Sequence, residues 1–175
     1  MSETSKSIHD LNADLFEPEE DGRFADPKEA RKKAMDYLAR REYGQRELID
    51  KLVKAGFEEH AAAQAVERLT GEGLQDDRRF VENFAQSRIS QGKGPVRVRA
   101  DLRQRGIESG LIDEVLGALS PDWRALAIDV RRKKFGSGLP ENFSDKAKQM
   151  RFLQYRGFSQ AEIESAVGRR GDEPD

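Results

Sequence analysis

The residues of this chain that could carry out catalysis are few and lack the partners that catalysis requires. Asp76 and Asp77 are adjacent and could ligate a divalent cation, but acids just before an apolar helix more often cap it and interact favourably with its dipole. Two histidines, His9 and His60, occur without any cysteine in the 175 residues, so zinc and thiol chemistry have no support. We therefore expect no enzymatic activity, no cofactor and no metal site.

A phosphate-binding loop of the P-loop ATPase type is absent from the sequence. Such a loop needs a glycine, four residues and then Gly-Lys-Ser/Thr, so that backbone amides surround the phosphates. The single Gly-Lys pair, Gly92-Lys93, is followed by Gly94, and Ser87 stands where the first glycine is required. ATP hydrolysis through this motif is therefore excluded.

Basic side chains provide the most informative chemical pattern. Residues 78–105 contain eight bases and only two acids, Glu82 and Asp101, and residues 131–134 are all basic. Arginines at this density can neutralise phosphates and release counterions, which gives affinity without reading a base sequence. The candidate partner- or DNA-binding residues, called the basic band below, are Arg78, Arg79, Arg88, Lys93, Arg97, Arg99, Arg103, Arg105, Arg131, Arg132, Lys133 and Lys134.

The basic band also has a plain structural explanation. A highly charged helical protein with one basic face would explain the band equally well, and 37% of the residues of this chain are charged. The concentration of arginine in the middle of the chain favours the functional interpretation. The loop at residues 92–95 could let a partner approach the backbone closely, although turn formation alone would account for its composition.

Charge is distributed unevenly along the chain. Residues 1–26 contain eight acids and two bases, whereas residues 27–167 contain 27 bases and 22 acids. The first segment also lacks helical periodicity, so we expect a disordered acidic tail at residues 1–26 and a flexible C-terminus at residues 169–175. The tail is either a solubilising leader or an arm that competes with phosphate for the basic body.

A ten-residue pattern occurs three times, at residues 48–57, 98–107 and 149–158. In each copy a leucine is followed, after three intervening residues, by a glycine and a large apolar residue. The matching positions are Leu52, Leu102, Leu153, Gly56, Gly106 and Gly157. Spacings of 50 and 51 residues indicate an internal repeat, and the matching positions have a sufficient explanation as core and helix-capping residues.

Each repeat is predicted to contain three helices. Asp26-Pro27 is typical of the start of the first unit and Ser120-Pro121 of the third, each a capping residue followed by proline. The composition favours helix throughout. We therefore expect an all-α protein in which three units stack into an elongated, curved body. The predicted units are residues 27–73, 74–119 and 120–168.

No segment has the roughly 18 consecutive apolar residues that a membrane-spanning helix needs. Met1 is not followed by an apolar run typical of a signal peptide, and the absence of cysteine is compatible with a reducing compartment. The sequence therefore predicts a soluble, cytoplasmic protein, and a long monomer is the simplest expectation.

The order of residues in the middle unit resembles the central signature of the RecX family. The residues that carry the resemblance are residues 74–80, Phe84, Arg88, residues 91–95, Val98, Leu102 and residues 105–107. Residues 40–43, 47–48, 51–52 and 56–57 are similar to the opening repeat of that family. The resemblance covers roughly residues 28–168, and the third unit departs most from it, with Gln149 where the other units have Leu48 and Val98.

This resemblance implies a bacterial cytoplasmic modulator of RecA. Such proteins bind RecA and the helical groove of RecA–DNA filaments, limit filament extension, and restrain ATPase activity, strand exchange and LexA cleavage. Many also bind single- and double-stranded DNA directly. If the chain functions as the resemblance implies, the basic band contacts the filament or its DNA.

Two other classes of function remain open. The chain could be a direct, sequence-nonspecific DNA-binding protein or a regulator of the helix-turn-helix type. Against the second, no unit shows a recognition helix rich in Asn, Gln and Arg after a tight turn, and the repeats offer no obvious dimer for a palindromic site. An inert helical scaffold is the second of these classes, and a nuclease that rests only on Asp76 and Asp77 is a more distant alternative.

Overall fold

The computed structural model describes residues 20–168, and every regular element in that range is an α-helix. A short helix, α1, precedes three units of three helices each, as the repeat predicts. None of these helices is long and apolar enough to cross a membrane. In chain order the helices are α1 (Glu20–Phe24), α2 (Pro27–Leu38), α3 (Gln45–Lys54), α4 (Glu59–Gly71), α5 (Asp77–Ser90), α6 (Pro95–Gln104), α7 (Ser109–Leu119), α8 (Trp123–Phe135), α9 (Phe143–Tyr155) and α10 (Gln160–Val167).

Each unit has a hydrophobic core of its own. The repeated leucines Leu52, Leu102 and Leu153 are fully buried, one in each core, and burying a leucine side chain contributes about 1.5–3 kcal/mol. The apolar residues after the repeated glycines are buried as well; they are Phe57, Ile107 and Phe158. The prediction that these repeated positions form the framework is therefore confirmed.

Local sequence signals explain where most helices begin. The Asp26 carboxylate accepts a hydrogen bond from the Lys28 amide at 2.9 Å, and Pro27 occupies the first turn of α2. The predicted start of the third unit at Ser120-Pro121 is wrong. Ser120 has a left-handed backbone (φ 45°) that ends α7, and Asp122 caps α8 by accepting from the Ala125 amide at 3.0 Å.

The expected acidic tail is shorter than predicted at its C-terminal end. Within residues 1–26, the segment Glu20–Phe24 forms α1. The ring of Phe24 packs edge-on against Phe57 with centroids 5.4 Å apart, and the Glu58 amide donates to the Phe24 carbonyl at 2.9 Å. These contacts hold α1 on the first unit. The predictions for residues 1–19 and 169–175 concern parts of the chain outside the described residues.

The first and second units meet where α3 begins beside the turn that ends α6. A Cβ atom placed on Gly106 would lie 2.8 Å from the Arg46 side chain, so the turn and the helix are in close contact. The Asp77 carboxylate accepts from the Gln45 amide at 2.7 Å and from Gln75 Nε2 at 2.9 Å. A side chain of the second unit thus caps a helix of the first.

The second and third units meet in the same way, where α6 begins beside the turn that ends α9. Here the contact is between backbones: the Gly94 amide donates to the Arg156 carbonyl and the Val96 amide to the Gly157 carbonyl, both at 2.9 Å. These bonds satisfy amides and carbonyls that helix ends leave unpaired. Gly157 has a φ of +92°, and a Cβ atom there would lie 2.2 Å from the Arg97 Cβ.

The two junctions share one arrangement, in which the start of the second helix of a unit docks on the glycine turn of the next unit. Because each unit has its own core and docks on its neighbour, the three units form an elongated tandem array. At the N-terminal end, Phe24 lies over the corresponding turn, since a Cβ atom on Gly56 would be 2.9 Å from its ring. The glycine turns are therefore docking positions as well as helix ends.

Candidate nucleic-acid interface

Asp101 organises the centre of the basic band. Its carboxylate is paired with Arg97 Nε at 3.3 Å and with Arg88 Nε at 3.5 Å, and only 17% of its side chain is exposed. Arg105 Nη1 donates to the main-chain carbonyl of the same residue at 3.1 Å. Arginines from α5, α6 and the end of α6 are thereby brought together around one acid.

The ring of Phe84 lies between two of these arginines. The Arg88 guanidinium carbon is 4.6 Å from the ring centroid, and that of Arg105 is 4.7 Å away. Both are cation–π distances, and such contacts contribute about 0.5–1 kcal/mol at exposed sites. The band therefore presents arginines that are held in position by an aromatic ring and an acid.

Three other arginines of the band are committed to ion pairs. Arg79 Nε lies 2.6 Å from Glu42 of the first unit, Arg78 Nη1 lies 2.7 Å from Glu114, and Arg99 is paired with Asp113. Hydrogen bonds to Glu42 and Glu114 hold the pKa values of Arg79 and Arg78 above the ordinary arginine value. These pairs are exposed to solvent, which screens them, so they stabilise the fold only slightly, and the acids partly neutralise the charge of these arginines.

The cations with the fewest internal commitments are Lys93, Arg103 and Arg132. Among the side chains that the structure describes, at residues 22–168, none of them has a carboxylate within 4.0 Å. Arg103 and Arg132 are exposed, and Lys93 is half-buried. Because no acid of the described residues neutralises them, they are the strongest candidates for phosphate contacts in the band.

Arg131, included in the basic band, does not lie on the surface. Its side chain is 1% exposed and its Nη1 donates to the Gly138 carbonyl at 2.7 Å, with Gln149 Oε1 at 3.5 Å. Burial, and secondarily the neighbouring Arg132 guanidinium, lowers the pKa of Arg131 below the ordinary arginine value. The prediction that Arg131 binds a partner is therefore wrong, because the residue holds the loop after α8.

The sequence carried a signal for this buried pair. Gln149 occupies the position that the other units fill with Leu48 and Val98, and the buried Arg131 guanidinium lies 3.5 Å from its side-chain oxygen. Arg131 also lies four residues after the buried Ala127, on the inward face of α8. A polar residue at a repeated core position predicts a buried polar partner.

Residues 131–134 form a second basic cluster within the band, and one of its lysines lies beside an aromatic ring. Lys134 Nζ is 5.9 Å from the Phe152 centroid, and Lys133 Nζ is paired with Asp129 at 2.9 Å. Arg156, which the prediction missed, is 5.4 Å from the same ring and donates through Nη1 to the Gln91 carbonyl at 3.0 Å. This bond joins the third unit to the middle unit.

The repeat itself could have identified Arg156. It immediately precedes the repeated glycine of the third unit, and Arg105 precedes the repeated glycine of the second unit. Both arginines stack on a phenylalanine of their own unit, Arg105 on Phe84 and Arg156 on Phe152. The position before the glycine is therefore equivalent in the two units.

The acid pair has a structural role. Asp76 caps α5 by accepting from the Arg79 amide at 3.0 Å, which confirms the prediction of capping for this residue. Asp77 accepts from Gln45 and Gln75 at the first junction. Among the described residues, no group of three or more His, Asp and Glu side chains is arranged to hold a metal ion.

Family models for the three-helix domains of RecX match this chain in order. The models described as the first, second and third RecX three-helix domains match residues 30–69, 76–116 and 122–167. Each match falls on one of the three units, and together they cover most of the chain. The chain belongs to the RecX family.

Relatives named "Regulatory protein RecX" are similar over most of their length. The relative from Halorhodospira halophila is 43% identical over 142 residues, which cover 81% of this chain and 88% of the relative. The relative from Pseudomonas fluorescens strain SBW25 is 43% identical over 140 residues, covering 80% of this chain and 90% of the relative. Membership of the RecX family, which the central signature indicated, is confirmed.

Solved structures of RecX proteins share the fold. A crystal structure of RecX from Lactobacillus salivarius superposes with a TM-score of 0.68 at 18% identity, covering 81% of this chain and 94% of that one. A crystal structure described as regulatory protein RecX superposes with a TM-score of 0.69 at 21% identity, covering 95% of this chain and 80% of the other. At such low identity the superpositions support the all-α fold of three tandem units.

Proposed function

We propose that this RecX-family protein regulates homologous recombination and DNA repair by binding RecA, as the monomer or as the RecA–DNA filament. Binding mainly inhibits the ATPase, strand-exchange and coprotease activities of RecA. The observation that carries the proposal is the ordered match of all three units to the RecX domains. The similar proteins at 43% identity are named regulatory proteins, which favours a regulator over an enzyme.

The architecture supports binding along a filament. Three units joined end to end present a long surface, and the backbone bonds between Gly94 and Arg156 and between Val96 and Gly157 fix the angle between the second and third units. An elongated body of fixed shape can contact several subunits of a helical polymer at once. Such a body loses less conformational entropy on binding than a flexible one.

The electrostatics support contact with the DNA of the filament. Lys93, Arg103 and Arg132 carry charges that no acid of the described residues neutralises, and the Arg88–Phe84–Arg105 stack adds two positioned guanidiniums. Each phosphate that is neutralised lowers the slope of log affinity against log salt by about 0.9 on duplex DNA and about 0.7 on single strands. Three contacts on single-stranded DNA would thus give a slope of about −2.

The proposal is tested by measuring the DNA-dependent ATPase of RecA with increasing amounts of this protein. Inhibition at amounts well below one molecule per RecA subunit is expected, because a regulator that limits filament extension acts on many subunits at once. Direct DNA binding is measured in parallel over a series of salt concentrations. DNA binding with no effect on RecA would instead favour a direct, sequence-nonspecific DNA-binding protein and would contradict the proposal.

A further inference from the structure

An open cavity of about 290 Å³ lies at the junction of the second and third units. Its walls come from the end of α5 and the loop that follows, from α8 and from α9. The residues that matter for its chemistry are Ile89, Leu126, Phe152, Lys133, Lys134 and Arg156. It lies outside the Asp101 cluster of the basic band and needs both units to form.

Apolar side chains line part of the cavity. Ile89 is half-buried and packs against none of the three cores, whereas Leu126 and Phe152 lie at the edge of the third core. Phe152 is also contacted edge-on by Phe135, with centroids 5.3 Å apart. An apolar wall that faces an open cavity provides a surface for a flat apolar group of a ligand.

The rim of the cavity is basic. Lys133, Lys134 and Arg156 face one acid, Asp129, which pairs with Lys133 at 2.9 Å through largely exposed side chains. The cavity therefore has an excess of positive charge. Arg156 is fixed by its bond to the Gln91 carbonyl, and its position does not have to be ordered when an anion binds.

The loop after α5, which forms one wall, packs closely against the third unit. A Cβ atom on Gly92 would lie 2.9 Å from Val130 Cγ2, and the loop that contains Gly92 continues into the backbone bonds of Gly94 and Val96 with the third unit. The cavity is thus already formed without a ligand, as is usual for sites that bind small groups.

Cations continue on the middle unit beyond the cavity. Lys93 follows the Gln91-Gly92 wall directly, and the Arg97 Cβ adjoins Gly157, the neighbour of Arg156. A ligand with a single carboxylate would use only the rim, whereas a chain of phosphates entering and leaving the cavity would use these cations too. The arrangement therefore fits a polyanion that carries flat apolar groups.

We propose that the cavity accommodates one unstacked base of single-stranded DNA, with the flanking phosphates on Lys133, Lys134 and Arg156. Base stacking on apolar side chains tolerates any sequence, because every base has a flat face. The bases of a duplex are stacked inside it and cannot enter, so the cavity gives this end of the array a preference for single strands. This inference rests on the proposed function, since it specifies how the DNA of the filament is bound.

The test compares the binding of a fluorescent deoxythymidine oligomer and of a duplex of equal length by anisotropy. The Ile89→Ser variant is expected to bind the single strand about fivefold to tenfold more weakly and the duplex as the wild type does. Val53→Ser, a half-exposed change on α3 of the first unit, is the matched control and should bind both normally. Circular dichroism checks that both variants remain folded.

A second measurement identifies the base as the group that is bound. Replacing the thymidines with abasic sites should weaken binding by the wild type about as much as Ile89→Ser does, and combining the two changes should add little, because both remove one contact. Photocrosslinking with 5-iodouracil in the oligomer should label residues that line the cavity.

Several outcomes would overturn the inference. One is an unchanged single-strand affinity of Ile89→Ser, and another is labelling confined to residues far from the cavity. If Ile89→Ser weakens the binding of an oligoglutamate and not that of the DNA oligomer, the cavity binds an acidic peptide. If free dTMP competes with the oligomer as well as unlabelled oligomer does, the cavity binds a free nucleotide. If the wild type binds no DNA at all, the DNA contact of the proposed function fails too. If DNA binding depends on salt but is unchanged by Ile89→Ser, only the proposal for the cavity fails.

Discussion

Gly94 lies against Gly157 so closely that a Cβ atom on Gly94 would come within 2.4 Å of the Gly157 carbonyl oxygen. The Gly94 amide donates to Arg156, the residue before Gly157, at 2.9 Å. The second and third units therefore touch through their backbones, and no side chain fits between them. The orientation of the third unit relative to the second depends on this contact.

The first prediction concerns this junction. Gly94→Ala should lower the free energy of unfolding by about 1–3 kcal/mol, because the added methyl group overpacks a contact between two backbones. Thermal unfolding measures the change. Gly117→Ala, on the open surface of α7 where a Cβ atom meets nothing within 4 Å, should be neutral or stabilising by up to about 1 kcal/mol. Equal stability of the two variants would contradict the backbone contact.

The second prediction concerns the buried arginine. Arg131→Ala should destabilise the protein by about 3 kcal/mol, because the Gly138 carbonyl and Gln149 lose their donor inside the third unit. Arg132→Ala, at the exposed neighbouring position, should change stability by less than about 0.5 kcal/mol. Chemical denaturation compares the two.

The same buried pair can be replaced as a whole. The double variant Arg131→Met, Gln149→Leu should recover much of the stability that Arg131→Ala loses, since the other units have Leu48 and Val98 at the position of Gln149. A double variant as unstable as Arg131→Ala would show that the polar pair is not simply a substitute for apolar packing.

The third prediction concerns the cations without acidic partners. Reversing Lys93, Arg103 and Arg132 to Glu should weaken DNA binding and reduce the magnitude of the salt slope by about one for each lost phosphate contact. The matched control reverses three exposed cations of the first unit that have no ion pair among the described residues: Lys28, Arg40 and Lys54. Both triple variants change the net charge equally. An equal loss of DNA binding in both would show that net charge, and not the position of the basic band, determines DNA binding.

The fourth prediction concerns the acid inside the band. Asp101→Asn should strengthen DNA binding about threefold and steepen its salt dependence, because Arg88 and Arg97 lose the carboxylate that shares their charge. Asp50→Asn frees Arg46 on α3 in the same manner and serves as the control, with little expected effect. Weaker binding by Asp101→Asn would mean that the acid is needed to position the arginines.

The sequence predicted the buried core positions well because the same pattern of apolar residues and glycine occurs in all three units. Leu52, Leu102 and Leu153 are buried, and each of the three units contains three helices. Helical periodicity depends on local spacing, so it can be recognised without knowing which helices touch. The start of α8 was mispredicted because a left-handed Ser120 depends on how α7 ends, which local patterns do not specify.

The candidate site was harder to predict because the charge of a side chain does not reveal whether it is buried or which residue it pairs with. Arg131 and Arg132 are neighbours with the same chemistry, yet one is buried and the other exposed. The contacts of Arg88 with Asp101 and of Arg156 with Gln91 join residues from different helices. Such pairings depend on how the helices pack, which composition and residue spacing do not specify.

The central claim is that this protein binds RecA filaments, and its most direct test is the binding of labelled protein to preformed filaments. RecA is assembled on single-stranded DNA with a non-hydrolysable ATP analogue, and the affinity is compared with that for the same DNA without RecA. Saturable binding that is clearly tighter on the filament is the predicted result. Binding no tighter than that to naked DNA would contradict the claim and leave a DNA-binding protein without a role for RecA.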